Sequence, residues 1–166
     1  MVDEKNSVMR ALENTLPQVG AVIWLGLRPG RRLPVQAIEE VQAVVGEGLV
    51  GDHFMGNGAG RRQVTLLQYE HLKAVASFLG RMDIDPALLR RNIVVKGINL
   101  LALKDKQFGI GEALMEMTGH CHPCSRMEEM LGEGGFNALR GHGGVTARVV
   151  RGGIIRLGDS VRVDAG

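Results

Sequence analysis

Glycine clusters are the feature of this sequence that most constrains its fold. The chain has 24 glycines in 166 residues, and they fall in groups that separate short runs rich in valine, isoleucine and leucine. Glycine permits the backbone conformations of tight turns, whereas short β-branched runs favour strands. The pattern therefore predicts many short strands joined by turns, with a few peripheral helices, in a mainly β (α+β) fold.

Eight runs in the sequence have the composition of strands. They are residues 20–25, 37–45, 63–67, 92–95, 107–110, 113–118, 145–150 and 160–163. Two further segments, 108–114 and 154–161, share an apolar-Gly-acidic-apolar pattern that predicts tight turns between the strands of a closed or rolled sheet. The sequence contains no repeat or linker that would divide it, so we expect one domain over residues 20–166.

Helical patterns are fewer. Residues 68–79 place Leu72, Val75, Ala76 and Leu79 on one face, and residues 86–91 begin with a proline that follows an aspartate, as helices often do. Within residues 1–19, the amphipathic stretch 9–16 predicts a short helix or an unpacked arm.

Composition excludes several functional classes. The hydrophobic fraction of 45% suits a single compact domain, and the formal net charge of +2 is too small to indicate nucleic-acid binding. No apolar run reaches membrane-spanning length, and the charged first residues lack the apolar core of a signal peptide. We therefore expect a cytoplasmic protein that binds neither membrane nor nucleic acid.

The two cysteines of the chain lie close together, in the run Gly119-His120-Cys121-His122-Pro123-Cys124-Ser125-Arg126. In the cytoplasm such cysteines are usually reduced, and are catalytic or metal-binding rather than disulfide-bonded. Residues 125–132 resemble a helix that opens on a capping-type Ser125, which would place Cys124 at the positive end of the helix dipole beside Arg126. A helix N-terminus and a nearby cation favour the reactive thiolate form of cysteine, so Cys124 is the predicted nucleophile or soft-metal ligand.

Several alternatives remain open at this point. Either thiol fits a packing role in the core. The histidines at positions 120, 122 and 142 would complete a zinc site with the cysteines, although structural zinc usually draws on two separated ligand pairs. A thioredoxin-like dithiol centre is also conceivable, but such motifs follow the first strand of a βαβ pattern and this one comes late in the chain.

Five pieces of the sequence together resemble the MOSC domain, named for the C-terminal domain of molybdenum-cofactor sulfurases. They are Gly51-Asp52-His53, Arg62-Gln63-Val64-Thr65-Leu66, residues 89–95, the late Cys124, and residues 155–161. The resemblance covers most of the chain from about residue 20 and implies a β-barrel with peripheral helices, in agreement with the glycine-punctuated strands.

The resemblance also implies roles for individual residues. Cys124 matches the family's thiol, which ligates molybdenum in reductase members and would hold a persulfide in a sulfur carrier. Arg90 and Asn92 match an Arg-x-Asn element that contacts the pterin and its phosphate, consistent with the forked donors of arginine and the mixed donor and acceptor groups of an amide. Arg62 is then expected as an auxiliary anion contact, and His53 as a residue on the rim of the site.

Cys121 is not explained by the cofactor hypothesis, since a molybdenum-binding thiol needs no second cysteine. We expect Cys121 either to pack in the turn or to resolve a persulfide or sulfenate on Cys124 through a transient disulfide. Among the flexible segments, residues 56–60 form a glycine-rich stretch without the Lys-Ser/Thr ending of a nucleotide loop, and are predicted to be an entry flap.

Three functions follow as hypotheses. The first is molybdenum-cofactor-dependent redox chemistry at Cys124, which would reduce N-hydroxylated small-molecule substrates. Separate electron-donor proteins would be required, because the sequence has no nicotinamide fingerprint or Fe–S cysteine set. The second is sulfur transfer, in which a PLP-dependent cysteine desulfurase loads a persulfide; nothing in this chain is typical of a PLP site. The third is a non-catalytic binding module.

Overall fold

The mainly β fold predicted from the glycine pattern is confirmed. The computed structural model describes residues 2–53 and 60–163, with the side chain of Val2 excluded. The strands are β1 Gly20–Leu27, β2 Gln36–Ile38, β3 Glu40–Val44, β4 Gly48–Leu49, β5 Val64–Gln68, β6 Ile93–Lys96, β7 Gln107–Ile110, β8 Ala113–His120, β9 Val145–Arg151, β10 Gly153–Arg156 and β11 Ser160–Val163.

Seven of these strands close into a barrel. They are hydrogen-bonded in the order β11-β7-β8-β9-β5-β6-β1, and β1 pairs again with β11 through Gly20↔Val161 and Ala21↔Ser160. Strand β2 extends β1 outside the ring, and β10, β3 and β4 form a separate three-stranded sheet. Strands β5 and β6 are parallel, and a helical connection joins them.

The chain also forms four α-helices and two 3₁₀ helices within the described residues. They are α1 Val2–Glu13, α2 Tyr69–Phe78, α3 Ser125–Leu131 and α4 Gly135–Leu139, with 3₁₀ helices at Pro86–Leu89 and Leu100–Leu103. The first is longer than the predicted segment 9–16, and its described side chains are exposed. None of the helices in the described residues is long and apolar enough to cross a membrane.

Two apolar clusters hold these layers together. On β5, Leu66 lies in the cluster inside the barrel while the next residue, Leu67, lies in the cluster beneath the helices. This alternation follows from the two-residue period of a strand, and it makes both faces of β5 buried. Met127 and Leu131 of α3 pack into the outer cluster, which anchors the helix that begins directly after Cys124.

The predicted strand over residues 37–45 is wrong in one respect. The segment forms two strands in different sheets, because β2 pairs with β1 whereas β3 pairs with β10 and β4. Both predicted turns are present in the structure. Residues 110–113 connect the hairpin β7–β8, and residues 157–159 connect β10 to β11, although these last two strands belong to different sheets.

Candidate functional site

Three consecutive residues after the first 3₁₀ helix direct their side chains to three different places. Arg90 caps that helix in the left-handed conformation, with φ of 55°. Its Nη2 donates to the carbonyl of Gly30 at 3.2 Å, and its Nη1 donates to the carbonyl of Leu33. Arg91 is buried beside the cysteines, and Asn92 enters the barrel wall. The segment therefore connects a surface loop, the thiols and the core.

Asn92 is fully buried, with 0% of its surface exposed, and its amide is occupied within the fold. Oδ1 accepts hydrogen bonds from the backbone nitrogen and the hydroxyl of Thr65, both at 3.1 Å. Nδ2 donates to the carbonyl of Gly26 at 3.1 Å and to Oδ1 of Asp52 at 3.2 Å. Asn92 thus ties β1, β5 and the Asp52 turn together. Its predicted contact with a pterin stays a prediction, and the amide has no exposed surface to offer a ligand.

Asp52 forms an ion pair with Arg28 at the end of β1. The carboxylate accepts from the Arg28 backbone nitrogen at 2.8 Å, from Nε at 3.1 Å and from Nη2 at 2.8 Å. The Asp52 side chain is 1% exposed and that of Arg28 is 17% exposed. The pair fixes Arg28 at the start of the loop whose carbonyls at Gly30 and Leu33 accept hydrogen bonds from Arg90.

A strongly cationic cavity of about 350 Å³ lies at this loop. It is lined by Arg28, Arg31, Arg32, His53, Arg90 and Arg126. Burial lowers the pKa of Arg90, and the nearby charges of Arg126 and Arg28 lower it further, against the opposing effect of Asp52. Several like charges in one cavity are unfavourable unless an anion joins them.

Arg126 has a buried hydrogen-bond donor close to this cavity. Its Nε is buried and has no hydrogen-bond partner in the part of the chain that the structure describes. A buried donor without an acceptor is costly, and such groups in native proteins are usually satisfied by water, an ion or a ligand. Arg126 also lines the cavity, so an anion held there would contact this side chain.

The loop that carries Arg31 and Arg32 is itself strained. Leu33 donates its backbone N–H to the carbonyl of Gly30 at 3.3 Å, which closes a turn around the two arginines. Arg32 has a φ of 64°. Left-handed backbone is unfavourable for a residue with a Cβ, and such strain concentrates at functional sites. In the described residues Arg32 and Arg90 are two of three non-glycine residues with positive φ, and both line the cavity.

The two cysteines differ in environment. Cys124 is exposed and occupies the N-cap of α3 without a side-chain capping bond, so its thiol is not used to complete the helix. The predicted cap at Ser125 is therefore wrong by one residue, since Ser125 is the first residue of the helix. Cys121 is 7% exposed, and its backbone nitrogen donates to the carbonyl of Gly144 at 2.9 Å.

Arg91 is buried near both thiols. Its Nε donates to the carbonyl of Gly143 at 2.8 Å, and its Nη1 donates to the carbonyl of Leu89 at 2.9 Å. None of the ion pairs among the described residues includes this guanidinium. Burial strongly lowers the pKa of Arg91, and negative charge on Cys121 and then on Cys124 is what opposes that shift.

The predicted site residues fall into two adjoining groups. Arg62 is exposed, and its charge acts on Arg91, so it belongs with Cys121 and Cys124. Arg90 and His53 line the cationic cavity. Arg126 joins the two groups, since it follows Cys124 by two residues and lines the cavity. The predicted glycine-rich flap at 56–60 lies outside the described residues except for Gly60.

The histidines do not converge on a zinc ion. His120 and His122 have ring centroids 6.1 Å apart, whereas His142 packs against His71 at 4.8 Å and against Phe78. Over residues 2–53 and 60–163, no three His, Cys, Asp or Glu side chains are grouped so as to hold a metal. Nothing in this geometry supports the zinc alternative.

The sequence analysis missed half of the cavity. Arg28, Arg31 and Arg32 come from the β1–β2 connection, and no local motif marks them. Arg91 was not among the predicted site residues, because nothing in the local sequence indicates that this arginine is buried.

Fold and site together define a small closed β-barrel with an exposed thiol at a helix N-terminus, two residues before an arginine that lines a strongly cationic cavity. The family model of the MOSC domain matches residues 51–162, which is more than half of the sequence. The chain belongs to the MOSC domain family, as its motifs predicted. Membership supports a molybdenum-cofactor-associated or sulfur-related role in general, because MOSC domains are generally associated with that cofactor.

Solved structures agree with this assignment. The chain is similar to the YuaD protein from Bacillus subtilis, with a TM-score of 0.77 and 21% identity over 90% of this chain and 98% of that one. It is also similar to YiiM from Geobacillus stearothermophilus (TM-score 0.70, 14% identity, 87% of this chain and 75% of that one). YiiM from Escherichia coli gives a TM-score of 0.66 at 17% identity, over 88% of this chain and 70% of that one. At these identities the likeness shows the fold alone. A search of curated proteins found no significant match.

Proposed function

We propose that this protein binds the molybdenum cofactor, with Cys124 as the protein ligand of the metal and the cationic cavity as the site of the cofactor phosphate. The supporting observation is the position of the cavity: Arg126 lines it and lies two residues from the exposed thiol of Cys124. A soft thiolate suits molybdenum, and arginine forks suit phosphate.

The residues present fit such a group. Arg126 lines the cavity, and Arg31 and Arg32, which take part in no ion pair among the described residues, add positive charge to it. Cys124 is exposed and makes no capping bond, so its sulfur is available to a metal. A ligand held at both places would be anchored by its charge at one end and by the thiolate at the other.

Each nearby residue then has a distinct task. The phosphate is bound by Arg126, Arg31 and Arg32. Arg90 positions the loop that carries Arg31 and Arg32, because it donates hydrogen bonds to the carbonyls of Gly30 and Leu33. Asn92 acts as a positioning residue through Asp52 and Arg28. Arg91 stabilises negative charge on the cysteine sulfur. When bound, the cofactor supplies two-electron redox chemistry, which would remove oxygen from an N-hydroxylated substrate with electrons delivered by separate donor proteins.

Sulfur transfer is the second candidate, and the observation that favours it is the buried guanidinium of Arg91 beside an exposed thiol. The Cys124 thiolate would attack the outer sulfur of a cysteine persulfide on a donor, the S–S bond of the donor would break and its cysteine would leave as a thiolate. Cys124 would then carry the persulfide, whose negative charge Arg91 would stabilise. A PLP-dependent cysteine desulfurase is the class of donor that this reaction needs. The cationic cavity has no task in this scheme.

Metal and pterin analysis separates these functions. The protein would be purified from a host with intact molybdenum-cofactor synthesis, together with Cys124→Ser, Arg126→Gln and the control Arg148→Gln. Arg148 pairs with Glu116 on the surface and does not line the cavity. We expect stoichiometric molybdenum and pterin in the wild type and the control, loss of molybdenum in Cys124→Ser, and loss of both in Arg126→Gln.

The opposite pattern would support the alternatives. If the wild type holds no molybdenum, but intact mass shows added sulfur on Cys124 after incubation with a desulfurase and cysteine, sulfur transfer replaces the cofactor hypothesis. If neither signal appears, the chain is a binding module without this chemistry.

A further inference from the structure

We propose that the cationic cavity is a site for a diphosphate, that is, for two adjacent phosphoryl groups on one ligand, rather than for a single phosphate. The cavity is lined by Arg28, Arg31, Arg32, His53, Arg90 and Arg126. The inference rests on the proposed function, because it takes this cavity as the phosphate site. It goes further by naming the class of anion that the cavity holds.

The positive charge of the cavity exceeds what one phosphate neutralises. Of the arginines that line it, Arg28 is paired with Asp52 at 2.8 Å. None of the ion pairs in the described part of the chain includes any of the others. A phosphate monoester carries a charge of about −1.5 to −2 at pH 7, so it would leave roughly half of the unpaired charge uncompensated. A second phosphoryl group brings further negative charge to the same place.

The surrounding segments add little negative charge of their own. Residues 28–35, here called the arginine loop, contain no aspartate or glutamate, and neither do residues 54–59. Arg126 shares its helix with Glu128 and Glu129, but neither carboxylate forms an ion pair with it among the described residues. The charge of the cavity is therefore left for a bound anion to balance.

The cations reach the cavity from three separate segments. Arg31 and Arg32 belong to the arginine loop between β1 and β2, Arg90 caps the first 3₁₀ helix, and Arg126 lies in the first turn of α3. The cavity measures about 350 Å³, which is within the range of roughly 300 to 1,000 Å³ for small-molecule pockets. One phosphate ion would leave much of this volume to water. Two linked phosphoryl groups extend farther and can contact donors from more than one segment.

The arginine loop is fixed within the fold. Leu33 donates its backbone N–H to the carbonyl of Gly30 at 3.3 Å, and Arg90 donates to the carbonyls of the same two residues. Donors that are already in place spare the entropy of ordering them when a ligand binds. Because arginine forks bind phosphate oxygens in pairs, a ligand with more phosphate oxygens uses more of these donors and binds more tightly.

The test compares inorganic pyrophosphate with inorganic phosphate on the whole chain, by isothermal titration calorimetry at matched pH and ionic strength. We expect pyrophosphate to bind at least about tenfold more tightly, since one further hydrogen bond to a charged group is worth about that factor. Arg31→Gln and Arg126→Gln should each remove most of this preference. Arg148→Gln is the control and should bind as the wild type does, because Arg148 pairs with Glu116 outside the cavity.

A third titration, with adenosine diphosphate, identifies the source of the diphosphate. Binding as tight as that of pyrophosphate would assign the site to a diphosphate ester, and binding of pyrophosphate alone would assign it to the free ion; both results support the diphosphate class. Thermal unfolding without ligand checks that each variant is folded. Arg31→Gln carries the test if Arg126→Gln is unstable, because Arg31 lies on an exposed part of the arginine loop.

Three outcomes would overturn the inference, and they separate it from the proposed function. Equal affinity for the two anions would remove the diphosphate and leave the phosphate site intact. A pyrophosphate preference that survives both Arg31→Gln and Arg126→Gln would mean that the anion binds outside this cavity. If neither anion binds, the phosphate part of the proposed function fails as well, whereas molybdenum retention by Cys124 is decided independently by the metal analysis.

Discussion

Asp52 accepts hydrogen bonds from both the backbone and the side chain of Arg28, with 2.8 Å between Oδ1 and the backbone nitrogen and 2.8 Å between Oδ2 and Nη2. The same Oδ1 accepts from Nδ2 of Asn92 at 3.2 Å. One carboxylate therefore secures the base of the cationic cavity and neutralises one of its arginines. The remaining cavity arginines carry the charge that attracts an anion.

Asp52→Asn should unfold more easily, because it removes a buried charge from an ion pair and leaves Arg28 without its partner. Breaking a buried pair costs about 3–5 kcal/mol. Because Arg28 is partly exposed, we expect the free energy of unfolding to fall by about 3 kcal/mol or less. Urea unfolding gives the measurement. Glu40→Gln is the control, since its pair with Arg156 is exposed and worth less than about 1 kcal/mol. Equal losses in the two variants would contradict the assigned importance of Asp52.

Arg32→Gly should separate stability from ligand binding. Glycine relieves the left-handed strain at this position, so the free energy of unfolding is expected to stay level or rise by up to about 1 kcal/mol. Loss of the guanidinium should weaken phosphate binding, measured as the phosphate-dependent shift of the unfolding midpoint. Asp105→Gly is matched to it, because Asp105 also has positive φ, at 58°, and lies outside the cavity. A full phosphate shift in Arg32→Gly would show that this arginine does not bind the anion.

Gly143→Ala should disturb the thiol segment. The added methyl carbon would lie 2.1 Å from the carbonyl oxygen of Cys121, and backbone must move to admit it. Overpacking of this kind costs about 1–3 kcal/mol, and the accompanying shift should raise the rate at which N-ethylmaleimide alkylates Cys121. In Gly109→Ala the new carbon has its nearest neighbour at 3.9 Å, so that variant should leave the alkylation rate unchanged. An unaltered rate in Gly143→Ala would mean that the 141–144 loop yields instead of the thiol segment.

Mild acid should destabilise the fold through His71. Burial lowers the pKa of His71 below its ordinary value of 6.5, and the charge of His142, at a ring distance of 4.8 Å, lowers it further, with Glu70 opposing. The unfolded chain then binds more protons than the folded one, so this contribution is fully present above about pH 6.5 and is lost as the pH falls below that value. His71→Gln should flatten the pH dependence of the unfolding free energy across this window. An identical slope in the variant would assign the acid sensitivity to other groups.

The barrel was predictable because its signals are local. Glycines mark the turns of β7–β8 and β10–β11, and apolar runs mark most strands. The prediction of one strand over residues 37–45 was wrong because the division at Glu39 depends on strands that are distant in the sequence. Strand β2 pairs with β1, and β3 pairs with β10. Strand β10 was missed for the same reason, since its residues Gly153–Arg156 become a strand only against β3.

The site was predictable only where motifs carry chemistry. Cys124 was found from its position before a helix, and Arg90 from the family pattern. The carbonyls that Arg90 binds lie 60 and 57 residues earlier in the sequence, so no local pattern connects Arg31 and Arg32 to it. The partners of Asn92 could not be predicted from the sequence either. Its polar side chain looks available in the sequence, but folding gives it partners on three separate segments.

The pairing of Gly20 with Val161 has a consequence for biosynthesis. The first and last strands of the barrel meet, so a chain emerging from the ribosome holds an open sheet until its final strand has left the exit tunnel. Closing contacts between distant parts of a chain carries a large loop-closure entropy and slows folding. The thiol at position 124 is therefore translated, and open to reagents in solution, before the ring that supports it can close.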